Sequence, residues 1–323
     1  MKYNIEIQPS GVTFKSENNL LEDALSQSIP LEYSCKTGDC GTCNADIVSG
    51  EVENECGNIV NQGEILICQS KAKSNVILKA NYYPELVHIK QQTIPCKVTS
   101  FKYVTEDIVS IKLRFPPTAK FDYLPGQYVD LIFKGIKRSY SIANAKSVSK
   151  ELELHIRKVP NGKMSELLFE QLKDEQLMRI EGPKGTFFVK DNVKPLILIA
   201  TGTGIAPIKA IVEELIEKGD KRDVYIYWGM QYQKELYCNE LVVLANNNNN
   251  ISFTAVLSRE PEPQPDYQQG YVQNAVVRDF NSLNGFEVYA CGSLSMIEDA
   301  KALFLQYHLP VDAFFSDAFT PAK

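Results

Sequence analysis

The chain has 323 residues, 44% of them apolar, enough for two or three domains with sizeable cores. Its net charge of −6 argues against nucleic acid as a partner. No run of about 18 apolar residues occurs, so no membrane-spanning helix and no membrane partner are predicted.

The start, MKYNIEIQPSG, alternates like a strand and lacks the apolar segment of a secretory signal, which places the protein in the cytoplasm. Disulfides are not expected in that reducing compartment. Residues 1–90 hold 12 Asp and Glu against 7 Lys, and so carry nearly all of the acid excess. Such a surface is either simply solvated or a docking face for a protein partner. A helix is predicted over LLEDALSQS, with Glu22 in its first turn.

CKTGDCGTC, residues 35–43, follows. The spacing Cys35-x4-Cys40-x2-Cys43 is that of a plant-type [2Fe–2S] loop, which takes its fourth thiolate from a distant cysteine. Gly38 and Gly41 allow positive φ, so that N–H groups can point at sulfur. Cys68, after the strand-like run ILI, is the expected fourth ligand; Cys56 lies in a polar loop and Cys96 beyond a proline-containing linker, NYYPELVHIKQQTIPC. Structural zinc would show a second close cysteine pair, and a Rieske centre would need two histidines nearby. The three histidines, His88, His155 and His308, are all remote from the loop. The other four cysteines read as small buried hydrophobes, Cys291 excepted.

From residue 94 to about 190, strand-like runs recur between Gly and Pro, as in a small antiparallel barrel. RSYS, residues 138–141, ends one of these strands. GKMS, residues 162–165, opens a helix, GKMSELLFEQL, whose free N–H groups suit a pyrophosphate. Beyond Lys194 strands alternate with helices, which predicts a parallel α/β sheet. There TGTGIAP, residues 201–207, joins a buried strand to a helix; Pro207 stands where a dinucleotide fingerprint has its third glycine. YWGM and YACGS end later strands, at the edge where open α/β sheets bind ligands. The asparagine run 246–250 is expected in a loop.

Through KRSYSIAN, GKMS, EGPKGTFFV and TGTGIAP, residues 94–323 resemble the ferredoxin–NADP reductase superfamily; through EYSCKTGDCGTC, residues 1–90 resemble a plant-type ferredoxin. The fused order is similar to the reductase components of bacterial oxygenases. Over its whole length the chain most resembles the CDP-6-deoxy-Δ3,4-glucoseen reductases, a likeness carried by NYYPEL, PPTAKFDYLPGQYVDL and FFSDAF. The resemblance implies a multidomain α+β and α/β chain: a β-grasp ferredoxin domain over 1–90, an antiparallel β-barrel FAD domain over 94–190 and a parallel α/β nicotinamide domain over 191–323.

It also implies roles. Arg138 would pair with the flavin phosphate, with Ser139 beside it; Tyr140 would stack on the isoalloxazine and Ser141 would hydrogen-bond near its N5. Gly162, Lys163, Met164 and Ser165 would receive the FAD pyrophosphate. Thr201, Gly202, Thr203, Gly204, Ile205 and Pro207 would cradle the nicotinamide dinucleotide, with Trp228 and Gly229 alongside. Cys291 and Gly292 would lie by the nicotinamide, and the segment 315–319, ending in Phe319, would close over the flavin. Tyr140, Ser141 and Cys291 would be the residues at the reacting atoms. SRE, residues 258–260, is similar to the phosphate-binding Ser-Arg of NADPH-using relatives, but MQYQKELY lacks a second arginine and Glu235 would repel a phosphate, so NADH is the expected donor and NADPH the alternative. The implied acceptor is a pyridoxamine-phosphate iron–sulfur dehydrase acting on a CDP-hexulose, in the synthesis of 3,6-dideoxyhexoses of surface polysaccharide. A reductase for an oxygenase shares every cofactor motif, and a non-catalytic carrier or redox sensor would share the cluster loop alone.

Overall fold

The computed structural model describes residues 1–261 and 264–319. Residues 320–323, the end of the expected third domain, lie outside the described residues. The chain divides into two compact units, Met1–Lys90 and Gln91–Lys323.

The first unit holds a five-stranded mixed sheet, ordered Val12–Ser16, Tyr3–Gln8, Val76–Lys79, Asn44–Ser49, Gly63–Leu66, and a small three-stranded one, Ile59–Val60, Val52–Glu53, Lys71–Ala72. Only the central pair, Tyr3–Gln8 with Val76–Lys79, is parallel. Alternation puts Ile5, Ile7 and Leu78 wholly inside. Helix α1 (Leu20–Ser26) adds Leu20, Leu21 and Ala24 to that core. Each buried leucine contributes roughly 1.5–3 kcal/mol. The helix starts at Asn19, whose side-chain oxygen accepts from the Glu22 N–H. The same amide donates to the Cys68 carbonyl at 2.6 Å, so the cap also fixes the turn that carries this cysteine.

The second unit begins with a six-stranded antiparallel sheet, ordered Ile136–Ser141, Tyr128–Phe133, Leu177–Lys184, Gln92–Tyr103, Ile108–Arg114, Leu152–Arg157. A bridge between Ile142 and Leu154 joins the two ends of this order and makes it barrel-like. Helix α2 (Lys163–Gln171) packs on the strand Ile136–Ser141.

A six-stranded parallel sheet follows, ordered Tyr267–Gln269, Ile251–Leu257, Val224–Met230, Leu196–Thr201, Glu287–Ser293, Phe314–Phe319. Its helices are α3 (Ile205–Glu217), α4 (Asn239–Asn246), α5 (Val272–Asp279) and α6 (Leu294–Gln306). The strand Leu196–Thr201 is buried on both faces, as its unbroken apolar run predicts. Ile108 and Phe187 of the barrel share one apolar cluster with Leu196, Leu198 and Trp228 of the sheet. That shared core accounts for the barrel and the sheet forming a single unit.

Helix α4 has no counterpart in the sequence reading. It is short, and Cys238 at its N-cap offers no side-chain cap. It reaches Asn246, so the first asparagine of the run is helical, while Asn247–Asn250 form the expected turn. There Asn250 Nδ2 donates to the carbonyls of Arg222 (2.8 Å) and Asp220 (3.3 Å) and closes the loop.

Candidate redox centres

In the first unit the loop from Cys35 to Cys43 runs between α1 and the strand Asn44–Ser49, and Cys68 follows the strand Gly63–Leu66. Lys36, Gly38 and Gly41 take φ of 60°, 85° and 68°. This curl turns backbone N–H groups inward onto sulfur: Thr37 N–H to Cys35 at 3.4 Å, Gly38 N–H to Cys68, Thr42 N–H to Cys40. The Gln69 amide donates to the Lys36 carbonyl at 3.0 Å and approaches Cys68 Sγ at 3.7 Å, which ties the two ligand-bearing segments together.

The four thiols meet as two pairs. Cys40 donates to Cys35, holding Cys35 at about 4 and pushing Cys40 up. Cys43 donates to Cys68, holding Cys68 at about 7 and pushing Cys43 up. Among the described residues no three such side chains converge on a single ion. Two adjoining thiol pairs ringed by N–H donors suit a binuclear cluster with one pair on each iron. Cys43 and Cys68 are buried, Cys35 and Cys40 partly exposed. Cys56 sits exposed in the turn between Asn54 and Asn58, outside the two thiol pairs. Burial pushes the Cys96 and Cys238 thiols up to about 12, which makes both inert packing groups.

In the second unit Arg138 and Tyr140 are partly exposed and Ser141 is buried on the strand Ile136–Ser141. Ser139 donates to Asp130 at 2.6 Å and faces away from Arg138 and Tyr140. Burial raises the Tyr140 hydroxyl, with Arg138 opposing. Helix α2, packed on this strand, has Gly162 at its N-cap with no capping side chain. A β-carbon on Gly162 would lie 2.8 Å from Ser165 Oγ and 2.9 Å from the Val159 carbonyl, so the turn needs glycine. Lys163 is exposed, but Met164 and Ser165 are buried. The Ser165 hydroxyl accepts from Val159 N–H at 3.0 Å and reaches the Gly162 carbonyl at 3.0 Å; it shapes the turn and points inward.

In the parallel sheet the chain leaves Leu196–Thr201 for strands on one side and returns to Glu287–Ser293 on the other. The switch point therefore lies between Thr201 and Cys291–Gly292, where open α/β sheets bind ligands. Gly202–Gly204 form one 3-10 turn leading into α3, which buries Ile205 and Pro207; Thr203 lies on the same turn, partly exposed. The Trp228 indole donates to the Gly202 carbonyl at 2.9 Å. Gly229 packs so tightly that a β-carbon would stand 2.8 Å from Val272 Cγ1. Cys291 is fully buried, and burial, then Asp317, raises its thiol. Phe319 pairs with Ser293 at the same carboxyl edge and is 38% exposed.

One charged group at this edge was absent from the sequence reading. Arg157 Nη1 lies 3.2 Å from where a β-carbon of Gly202 would be, and its Nε donates to Asp107 at 2.7 Å. Burial would raise Asp107, but hydrogen bonds from Arg157 and Thr105 hold it below the ordinary carboxylate range. A guanidinium placed beside the 3-10 turn suits phosphate oxygens. The available signal was its place at a strand end, five residues before GKMS.

Three family models match the chain in series: a 2Fe-2S iron-sulfur cluster binding domain over residues 5–73, an oxidoreductase FAD-binding domain over 95–189 and an oxidoreductase NAD-binding domain over 198–302. The chain is 47% identical, over all of both chains, to the CDP-6-deoxy-L-threo-D-glycero-4-hexulose-3-dehydrase reductase of Yersinia pseudotuberculosis serotype I. It belongs to this reductase family. The reductase is an NAD(P)H-dependent oxidoreductase carrying a [2Fe–2S] cluster, FAD and a nicotinamide nucleotide. It is also 32% identical to the propane 2-monooxygenase reductase component of Mycolicibacterium goodii, over 99% of this chain and 97% of that one. The crystal structure of the Amycolatopsis cytochrome P450 reductase GcoB superposes with a TM-score of 0.80 at 27% identity, covering 99% of this chain and all of that one. No helix among the described residues is long and apolar enough to cross a membrane.

Proposed function

We propose that this reductase takes hydride from NADH and delivers electrons, by way of FAD and the [2Fe–2S] cluster, to a pyridoxamine-phosphate iron–sulfur dehydrase. The delivery completes C-3 deoxygenation of a CDP-hexulose in 3,6-dideoxyhexose synthesis. The acceptor rests on one observation, the 47% identity spanning the full length of both chains. A nicotinamide nucleotide as donor suits the cytoplasm.

FAD, when bound, accepts electrons in pairs and releases them singly. The chain's own residues do the holding. Tyr140 and Arg138 present one face of the flavin strand, and the α2 N-terminus with Lys163 receives pyrophosphate. Gly202–Gly204 let the dinucleotide backbone approach, Arg157 neutralises its phosphates, and Cys291 with Gly292 wall the nicotinamide. Cys35, Cys40, Cys43 and Cys68 hold the cluster, with Cys35 and Cys40 on its partly exposed side.

Donor choice follows from two carboxylates. Past the strand Val224–Met230, Glu235 accepts from the Gln231 and Tyr232 N–H groups, and Glu260 from the Gln233 N–H at 2.8 Å. Three successive donors that would suit a 2′-phosphate are thereby taken by the protein's own anions. NADH therefore has the higher kcat/KM, and Arg259→Ala leaves that preference in place.

The test is reconstitution. The as-purified full chain, given NADH, bleaches its flavin and develops a rhombic [2Fe–2S] electron paramagnetic resonance signal. With the dehydrase and a CDP-hexulose it yields the dideoxy product. Cytochrome c reduction without that product rejects the acceptor and keeps the reductase; turnover with an oxygenase component in its place identifies the other kind of partner.

A further inference from the structure

Helix α3 carries charge where its pattern calls for apolar residues. Lys209 is 3% exposed and Glu213, one turn on, 7%. Lys209 Nζ lies 2.7 Å from Glu213 Oε1, 3.2 Å from Glu153 Oε2 and 3.2 Å from the Ala143 carbonyl; the largely solvated Glu240 carboxylate is at 3.5 Å. The other Glu213 oxygen accepts from the Ala145 N–H at 2.8 Å. Glu153 Oε1 in turn meets Ser110 Oγ at 3.0 Å and His155 Nε2 at 3.1 Å.

A buried ion pair is weak evidence for stability, because desolvation offsets its attraction; its best-attested use is to fix register. The geometry here shows what is fixed. Ala143 and Ala145 lie just beyond Ser141, at the end of the flavin strand. Lys209 lies one turn beyond Ile205, at the start of the helix that Gly202–Gly204 feed. One lysine and one glutamate on α3 thus grip a carbonyl and an N–H of the segment that holds Ser141. A second path closes the ring: Gly202 to Trp228 (2.9 Å), Trp228 to Tyr237 (ring centroids 5.3 Å apart) and Tyr237 to His155 (3.1 Å), beside Glu153.

We propose that Lys209 and Glu213 are positioning residues for hydride transfer: they lock the nicotinamide phosphate turn to the flavin strand and so set the approach of nicotinamide C4 to the flavin. Hydride transfer needs its reacting atoms about 3–3.5 Å apart and aligned, and a small misplacement lowers the rate by orders of magnitude. The proposal rests on the flavin and nicotinamide assignments above. Neither side chain is assigned a contact with either cofactor; both act through backbone.

The experiment is stopped-flow flavin bleaching of the FAD- and cluster-loaded full chain, with NADH and with NADH dideuterated at C4. If wild-type flavin is not bleached by NADH, the functional reading fails; if it is, the variants test this proposal. Lys209→Met is expected to keep its FAD and to change the NADH dissociation constant less than threefold. Its limiting bleaching rate should fall at least tenfold, with a larger deuterium effect, and Lys209→Arg should restore part of the rate. A Lys209→Met enzyme with lower Tm but wild-type limiting rate and isotope effect overturns the proposal. Should that variant not fold, Glu213→Gln, which keeps volume and weakens the hold on Ala145, should slow bleaching about threefold; an unchanged rate there overturns it equally.

Discussion

Gly204 presses against the backbone of Cys291 so closely that a β-carbon there would overlap the Cys291 carbonyl oxygen. Gly204 closes the 3-10 turn after the strand Leu196–Thr201 and Cys291 lies near the end of the neighbouring parallel strand Glu287–Ser293, across the switch point, so their approach sets the width of the crevice. Gly204 has ordinary helical φ and ψ, and its requirement is one of space alone. Gly204→Ala must therefore push the turn away from Cys291, a strain of roughly 1–3 kcal/mol. The variant should keep its FAD absorbance and cluster signal, while flavin bleaching by NADH slows at least tenfold. Wild-type bleaching would mean that the crevice is set elsewhere.

The two thiol pairs yield a sharp contrast between cysteines. Cys68 is buried, receives the Cys43 and Gly38 donors, and has its turn anchored by Asn19. Cys56 is exposed in a polar turn. Cys68→Ser should abolish the rhombic signal of the reduced protein and leave FAD bound and reducible by NADH. Cys56→Ser should retain the signal at full intensity. The opposite pattern would move the fourth ligand to the turn.

What could be read from sequence was what lies close in the chain. The Cys35–Cys43 spacing, the buried run before Thr201 and the carboxyl ends at Trp228 and Cys291 are local patterns, and each marks a strand end or a tight loop. Arg157 and the Lys209 cluster depend on tertiary approach: Lys209 and Glu153 are 56 residues apart and meet only because α3 packs beside the strand Leu152–Arg157. A trace was present, since Lys209 and Glu213 fall at i and i+4 inside an apolar helical run, but spacing does not name the partner. Ser165 shows the converse. The pyrophosphate contact expected there rests on helix N–H groups, while its hydroxyl, which spacing leaves undirected, is turned onto Val159 and Gly162. Helix α4 escaped because neither a capping side chain nor a long periodic run announced it.

Arg157 offers a test of the nicotinamide site that spares the flavin. Asp107 holds its Nε, which leaves Nη1 beside Gly202. Charge-assisted hydrogen bonds to phosphate are worth roughly 1.5–3 kcal/mol. Arg157→Ala should raise the KM for NADH about tenfold or more, with a smaller change in kcat. Asp107→Asn, which keeps the cation but loosens its aim, should give a lesser rise. Equal NADH affinity in all three proteins would remove Arg157 from the site.

The buried cluster also predicts how the fold responds to acid. Burial alone would raise Glu153, but the His155 hydrogen bond and the Lys209 charge hold it at about 2, below its ordinary 4.5. A carboxylate lowered by folding adds stability above its unfolded value, and that stability is lost as pH falls toward the folded one. The window here is from about 4.5 down to about 2, and the full effect is roughly 3 kcal/mol. Glu153→Gln cannot titrate, so it lacks this contribution at every pH. In urea unfolding of the full chain, followed by tryptophan fluorescence from the single Trp228, the wild type should exceed the variant most at pH 7. The difference should narrow steadily between pH 5 and pH 3, as the Glu153 carboxyl of the unfolded chain takes up its proton while the folded one stays ionised. A difference that stays constant across that range would show that the Glu153 charge contributes nothing to stability and that only its shape matters.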